Sequence, residues 1–285
     1  MRPKTVAIIQ ARMAASRLPG KVLLEIEGRP MLGWVVERTR LAHTIDQVVV
    51  ATTDNPADDP VEAYCNEQGY SCYRGSQYDV LDRYYQAARL FEAGIIVRIT
   101  ADCPLIDPGV IDDTVVAFFG FPSSVSGPPS AVSERSHAAA ALDQPSSVGP
   151  YDFAANRLPP PWKRTFPIGL DTEVCSFTAL TTAWREAQEP YQREHVMPFF
   201  YDQPERFRIL HFTHDPDYGE LRWTVDTAAD LEVVQQIASR FPGRIDFTWL
   251  EVLDLVQREP ELGKINAAVQ AKNYREVDTR RNPQD

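Results

Sequence analysis

Residues 4–21 read KTVAIIQARMAASRLPGK. Lys4 to Ala11 is a short apolar run behind a polar start, the pattern of a buried strand. The turn that follows carries Arg12, Arg17, Gly20 and Lys21. From Met1 to Leu24 the chain has five basic residues, Arg2, Lys4, Arg12, Arg17 and Lys21, and no acid, although its 285 residues sum to a formal net charge of -11. A local positive field inside an acidic chain suits a small anion. Fixed cationic donors, a hydroxyl at Ser16 and a glycine where backbone must come close are what a triphosphate requires. Taken alone, such a loop is more often a solvated basic turn. It is not a Walker A loop, because the GxxxxG spacing is missing and Val22 stands where Ser or Thr should follow the lysine.

Working outward, Gln47 to Thr53 (QVVVATT) and Ile95 to Thr100 (IIVRIT) repeat the apolar strand pattern. Helical periodicity fills the gaps. Pro30 can start a helix over 29–41 with Leu32, Val35 and Val36 on one face. A second helix over 59–68 stops at Gly69. The third is capped by Asp79, carries a stripe of Leu81, Tyr84, Ala88 and Phe91, and has Gly94 where a C-terminal glycine belongs. Strand and helix alternate, so the expected fold is α/β: a doubly wound, mostly parallel Rossmann-like sheet in three α/β/α layers. Its ligand should lie beyond the carboxyl ends of the strands.

A sequence pI near 5.0 argues against a nucleic-acid partner, which calls for a broad basic surface. Cys65, Cys72, Cys103 and Cys175 show no CxxC pair and no metal spacing, so they read as reduced core thiols. The amino terminus has no signal-peptide h-region and no run reaches the ~20 apolar residues of a membrane span, making the cytoplasm the expected location. One domain is expected over 1–258. It is interrupted at 121–150, where half of the residues are Ser, Pro or Gly, the composition of a mobile insertion. The tail 259–285 is polar and predicts no structure.

Two aspartates stand at the ends of predicted strands. VRITADCPLID places Asp102 just past the third strand. LRWTVDTAADLEVV repeats the design, with a strand at Arg222 to Val225, Asp226 at its end and a helix beyond, for which Asp226 or Thr227 is the N-cap and Asp230 the following acid. Capping explains one aspartate at a time, and Asp107 fits that role before Pro108. It does not explain two strand-end aspartates beside a cationic loop. Mg²⁺ prefers one or two carboxylates plus phosphate oxygens and waters, so Asp102 and Asp226 are the expected metal ligands.

The run IIQARMAASRLPGKVL, with Asp-x-Pro-Leu in mid-chain and Val-Asp-Thr-x-x-Asp-Leu-Glu late in the chain, resembles the cytidylyltransferases that make CMP-activated sugar acids, of the acylneuraminate and 3-deoxy-manno-octulosonate type. The nearest branch is that of the spore-coat-polysaccharide SpsF-like proteins. The resemblance implies the nucleotide-diphospho-sugar transferase type of sheet, and CTP and a sugar acid as substrates in bacterial surface-polysaccharide synthesis, with release of pyrophosphate. A homodimer is a further implication. By matching positions, Arg12, Ser16, Arg17 and Lys21 wrap the CTP phosphates, with Ala11 and Gly20 in the same loop and Asp82 and Arg83, from DVLDR, on the nucleotide side. Arg12, Lys21, Asp102 and Asp226 are the expected catalytic set. Where Gly-Ser is expected ahead of Ser16, this chain has Ala14 and Ala15, which predicts weaker nucleotide affinity.

FPIGLDTEV and YQREHVMPFF resemble the acceptor half of that branch. Arg193 and His195 are expected to contact a carboxylate or hydroxyl, and Asp171 and Glu173 to bind hydroxyls or assist proton removal. The bland alternatives are an edge strand with exposed acids and a helix whose polar residues face water. Two rival functions are a glycosyltransferase using a nucleotide sugar and a non-catalytic nucleotide-binding protein. The first lacks its usual DxD triplet, since Cys103 and Pro104 follow Asp102. The second has no use for both aspartates.

Overall fold

The computed structural model describes residues 2–121 and 149–270. The expected insertion therefore lies almost wholly outside the described residues, as does the last part of the tail. The strands are β1 (Thr5–Gln10), β2 (Glu25–Ile26), β3 (Arg29–Pro30), β4 (Gln47–Thr53), β5 (Ser71–Gly75), β6 (Ile95–Thr100), β7 (Phe153–Ala155), β8 (Glu173–Ser176) and β9 (Ile209–His211). The helices are α1 (Met31–Arg40), α2 (Asp59–Gln68), α3 (Val80–Leu90), α4 (Pro108–Phe118), α5 (Phe177–Glu186), α6 (Pro190–His195), α7 (Pro198–Tyr201), α8 (Ala228–Ser239), α9 (Trp249–Arg258) and α10 (Glu261–Lys264).

Seven strands form one sheet in the order β5-β4-β1-β6-β8-β7-β9. The first four are mutually parallel, and β8 runs antiparallel to both β6 and β7. The chain winds outward from β1 through β4 to β5, then returns to place β6 on the other side of β1. That reversal makes the carboxyl ends of β1 and β6 a topological switch point, where sheets of this kind bind ligands. Gln10 and Thr100 are level in the register, so the loops that follow them leave side by side.

The apolar run of β1 is continuous because both faces are covered. Val6 and Ile8 pack with Val49, Ala51, Leu81, Tyr84 and Leu180 on one side. Ala7 and Ile9 pack with Val50, Val97, Leu32, Val36 and Ile111 on the other. Each fully buried valine or isoleucine contributes about 1.5–3 kcal/mol, so these short strands are held by burial on two faces. A third cluster, containing Trp34, Phe166, Trp223, Val225, Ile237, Phe247 and Trp249, seats α8 and α9 against the α1 and α4 side.

Local signals place several helix ends. Gly69 caps α2 in the left-handed region, and the Asp79 and Asp107 side chains accept from Asp82 N and Val110 N to cap α3 and α4. Three expectations are corrected. Gly94 is not the glycine that ends α3: Glu92 takes the positive φ of 55°. Gly94 is needed instead because a Cβ there would stand 2.5 Å from Pro3 Cβ, in the tight approach that lets Gly94 N donate to Lys4 O. The segment Arg222 to Val225 is not a strand of the sheet. It crosses the carboxyl edge, with Trp223 N donating to Ile168 O at 2.7 Å and Val225 N to Asp102 O at 2.8 Å. Its alternation is satisfied because Trp223 and Val225 enter the third cluster. Finally, the tail is structured as far as residue 270. α10 buries Leu262, and Asn266 is also buried.

Candidate active site

The loop after β1 is held by its own backbone. Met13 O accepts from Ala15 N at 2.9 Å and from Gly20 N at 2.8 Å, while Met13 N donates to Asp58 Oδ1 at 2.6 Å. Asp58 is buried and also accepts from Thr53 Oγ1 at the end of β4. Gly20 has φ 72°, a conformation that costs a residue with a Cβ. Neither Ala14 nor Ala15 has a positive φ. The Ala-Ala departure thus imposes no backbone penalty, contrary to the expectation from the missing glycine. Ala11 is buried at the root of the loop and Ser16 is exposed at its tip.

Gly20 turns the chain into a single 3-10 turn, Lys21–Leu23, and Lys21 points back under the loop. Its ammonium lies 2.8 Å from Asp102 Oδ2, 3.0 Å from Asp226 Oδ1 and 2.7 Å from Val225 O. The two aspartates, 124 positions apart, are joined by one cation. Burial by itself would lower the Lys21 pKa, but the charges and hydrogen bonds of Asp102 and Asp226 outweigh it and hold the ammonium above the ordinary lysine value. Asp102 shows the reverse balance: burial pushes it up, whereas the Lys21 charge, the Lys21 hydrogen bond and the Thr100 hydroxyl bring it down to about 2.

Asp226 receives more. Its Oδ2 lies 2.7 Å from Arg17 Nη2 and 2.9 Å from Arg222 Nη2. Arg222 also grips Asp230, with Nε at 2.8 Å from Oδ1. Asp230 completes a capping box with Thr227, which is therefore the cap of α8, and accepts from Asp226 N at 3.0 Å. The extended segment and the helix start are thus tied together, and Asp226 projects toward Asp102.

Arg12 lies 4.0 Å from Glu194 of α6, and Arg83 is near enough to feel its charge. Arg83 is fully buried, donates Nη1 to Ser76 O at 2.8 Å, and is lowered to about 10, by burial first and by Arg12 among its neighbours. Asp171 accepts from both guanidinium nitrogens of Arg164 and senses the charge of Asp102. Burial raises its pKa, but Arg164 outweighs that and holds it low.

Other expected site residues are spent elsewhere. Asp82 accepts from Trp184 Nε1 at 2.8 Å and Gln86 Nε2 at 3.1 Å, which ties α3 to α5. Glu173 is buried opposite its register partner Arg98, which also reaches Gln10 Oε1 at 3.1 Å. The pair joins β6 to β8, so the Glu173 carboxylate already has a partner inside the sheet. Arg193 donates from Nε to Asp79 Oδ1 at 3.0 Å and from Nη1 to Trp184 O at 2.7 Å, with Nη2 also on Asp79. It clamps α6 to the start of α3, so all three of its nitrogens are engaged within the fold. His195 is the last residue of α6, next in sequence to Glu194.

Sequence reasoning missed Arg222, Arg164, Asp58 and Asn266. Arg222 left a weak signal, since it stands four residues before Asp226 and eight before Asp230. Asn266 left none. Among the described residues, no group of three or more His, Cys, Asp or Glu is placed to hold a metal. Two carboxylates that already share one cation do fit the donor set of Mg²⁺, which completes its shell with water and phosphate oxygens.

The switch point of the sheet, a glycine-turned cationic loop and two aspartates that share one ammonium are on one edge. The sequence model of a family described as cytidylyltransferase matches residues 6–238, a span that contains all three features. The chain belongs to the cytidylyltransferase family. It is 30% identical over 262 residues to the spore coat polysaccharide biosynthesis protein SpsF of Bacillus subtilis, covering 89% of this chain and 94% of that one. It is 31% identical over 278 residues to an uncharacterized protein of Methanocaldococcus jannaschii, covering 96% and 99%. A solved cytidylyltransferase from Leptospira borgpetersenii superposes with a TM-score of 0.77 at 28% identity, covering 95% of this chain and all of that one. As a cytidylyltransferase, the protein is an enzyme of nucleotidyl transfer. No helix among the described residues is long and apolar enough to cross a membrane.

Proposed function

We propose that this enzyme moves CMP from CTP to a sugar acid with release of pyrophosphate, using Mg²⁺ held by Asp102 and Asp226, in the synthesis of a surface polysaccharide. The observation that carries the reading is the shared cation site: a single positive charge on Lys21 lies within 3.0 Å of both carboxylates, directly beneath the phosphate loop. When bound there, Mg²⁺ would neutralise charge developing on the α-phosphate and the leaving group.

The chain's own residues supply the rest. Arg12 and Arg17 hold the β- and γ-phosphates, joined by Lys21 once a metal has replaced its ammonium between the two carboxylates, so that pyrophosphate departs into a cationic cradle. An acceptor hydroxyl attacks the α-phosphorus in line; its oxygen bonds to phosphorus as the bond to the β-phosphate oxygen breaks, that bond's electron pair leaves with pyrophosphate, and the hydroxyl proton passes to water. No covalent enzyme intermediate is needed. Asp171, fixed by the Arg164 fork, is positioned near Asp102 to orient an acceptor hydroxyl. CTP is supported by the family and the polysaccharide setting by the likeness to SpsF, while the sugar acid rests on the resemblance of the sequence motifs to the 3-deoxy-manno-octulosonate type. Pyrophosphate release measured with each of the four nucleoside triphosphates, Mg²⁺ and a panel of sugar acids tests the reading. Release with CTP alone of the four is expected. Turnover of a UDP-sugar without turnover of CTP would assign a glycosyltransferase instead.

A further inference from the structure

Asn266 lies beyond the span matched by the family and in a tail whose composition predicts no structure. It is nevertheless buried, and its Nδ2 donates to Asp230 Oδ1 at 2.9 Å and to Arg222 O at 3.1 Å. Asp230 is fully buried and takes Arg222 on both oxygens, with Nε at 2.8 Å and Nη2 at 3.2 Å. That grip turns the remaining reach of Arg222 Nη2 toward Asp226 Oδ2, at 2.9 Å. We propose that Asn266 is a positioning residue of the active site, acting through Asp230 and Arg222 to fix the carboxylate of Asp226. The proposal rests on the reading of Asp226 as a metal ligand.

The geometry explains why a relay is needed. The terminal torsion of an aspartate is broad and nearly two-fold, so rotamer preference alone does not choose which oxygen faces inward. Here Oδ2 is taken by Arg222 and Arg17, which leaves Oδ1 toward the cation shared with Asp102. A second arm of the same segment strengthens the arrangement: Gln270 O accepts from Arg17 Nη1 at 2.9 Å, and the other end of that guanidinium holds Asp226 Oδ2 at 2.7 Å. Two contacts from residues 266–270 thus lead, through Arg222 and Arg17, to one carboxylate oxygen. Partners that orient a metal ligand typically matter by about 10–100-fold in metal affinity or activity. Asn266 acts one step further back, so about 3–30-fold is the expected range.

The test is binding of Mn²⁺ in the presence of CTP, followed by the paramagnetic signal of free Mn²⁺. The proteins are wild type, Asp226→Asn, Asn266→Leu, Arg222→Met and the double variant Asn266→Leu with Arg222→Met. Asn266→Leu keeps the branched shape and removes the donor. It is expected to weaken Mn²⁺ about 3–30-fold while leaving the CTP affinity, measured in EDTA, within about twofold. The double variant should be no weaker than Arg222→Met alone, because both substitutions cut one chain. Unchanged Mn²⁺ affinity in Asn266→Leu, or additive losses in the double variant, overturns the relay. Asn266→Ser, which is smaller and polar, carries the same comparison should the leucine variant fail to fold. Wild-type Mn²⁺ affinity in Asp226→Asn removes the metal reading itself, and the relay falls with it. Loss in Asp226→Asn without loss in Asn266→Leu removes only the relay.

Discussion

Replacing Lys21 by methionine removes the ammonium from between Asp102 and Asp226 and fills nearly the same volume, so the change is one of charge. In the folded protein Lys21 is the first outside cause, after the opposing effect of burial, that brings Asp102 from the ordinary 3.8 to about 2. One pKa unit corresponds to about 1.4 kcal/mol, and Asp102 keeps 28% of its side chain exposed, so the contribution after solvent screening is about 1–2 kcal/mol. Lys21→Met should therefore lower the unfolding free energy by about that amount at neutral pH. Because the folded-state pKa is depressed, this stability is fully present above about pH 4 and is lost as pH falls through about 2. The gap between wild type and variant should close over that interval. Mg²⁺ provides a second axis. In wild type a metal has to displace the ammonium from the two carboxylates, and in the variant it does not; at 10 mM Mg²⁺ and a dissociation constant of about 1 mM, binding restores about 1.4 kcal/mol to the variant, more than wild type gains. Urea denaturation with and without Mg²⁺, at pH 7 and at pH 2.5, reads all of this. A gap that does not change with pH, or equal stabilisation of both proteins by Mg²⁺, would refute the reasoning.

Asp102→Asn should reduce CTP turnover at least about 100-fold while CTP still binds in a calorimeter, because Arg12, Arg17 and Lys21 are untouched. Arg193→Gln cuts the clamp on Asp79 and Trp184 O, so it should cost about 1–3 kcal/mol of stability and leave the acceptor KM within about twofold; a large rise in acceptor KM with unchanged stability would return Arg193 to the acceptor site. Changing Ala14→Gly together with Ala15→Ser should move CTP affinity by less than about threefold, as neither position requires a positive φ, and a tenfold gain would show that the family's Gly-Ser supplies a contact the alanines lack.

The legible parts of this protein are those set by neighbours in sequence. α2 begins at Asp59 and stops before Gly69 because a left-handed cap is a local device, and the Asp79 and Asp107 caps are three-residue contacts. Asp102 and Asp226 were visible because both follow apolar extended runs and both precede helices. What was hidden depends on partners far along the chain. Nothing in RWTV distinguishes a strand of the sheet from a segment lying across its edge, because both bury alternate residues. Glu173 and Arg193 carry the residue types of an acceptor site, and only the fold reveals that Arg98 and Asp79 occupy them. Asn266 is an ordinary polar residue in a polar tail, and its burial against Asp230 exists only after α8 and α10 have packed.

The fate of the α-phosphate distinguishes nucleotidyl transfer from every rival activity. CTP labelled there is incubated with the enzyme, Mg²⁺ and a sugar-acid panel, and both the label and the pyrophosphate are measured. The account predicts that label passes into a CMP-acceptor adduct in step with pyrophosphate release, and that Asp226→Asn abolishes both. Label that remains in CTP with every acceptor, or full transfer by Asp226→Asn, would contradict it.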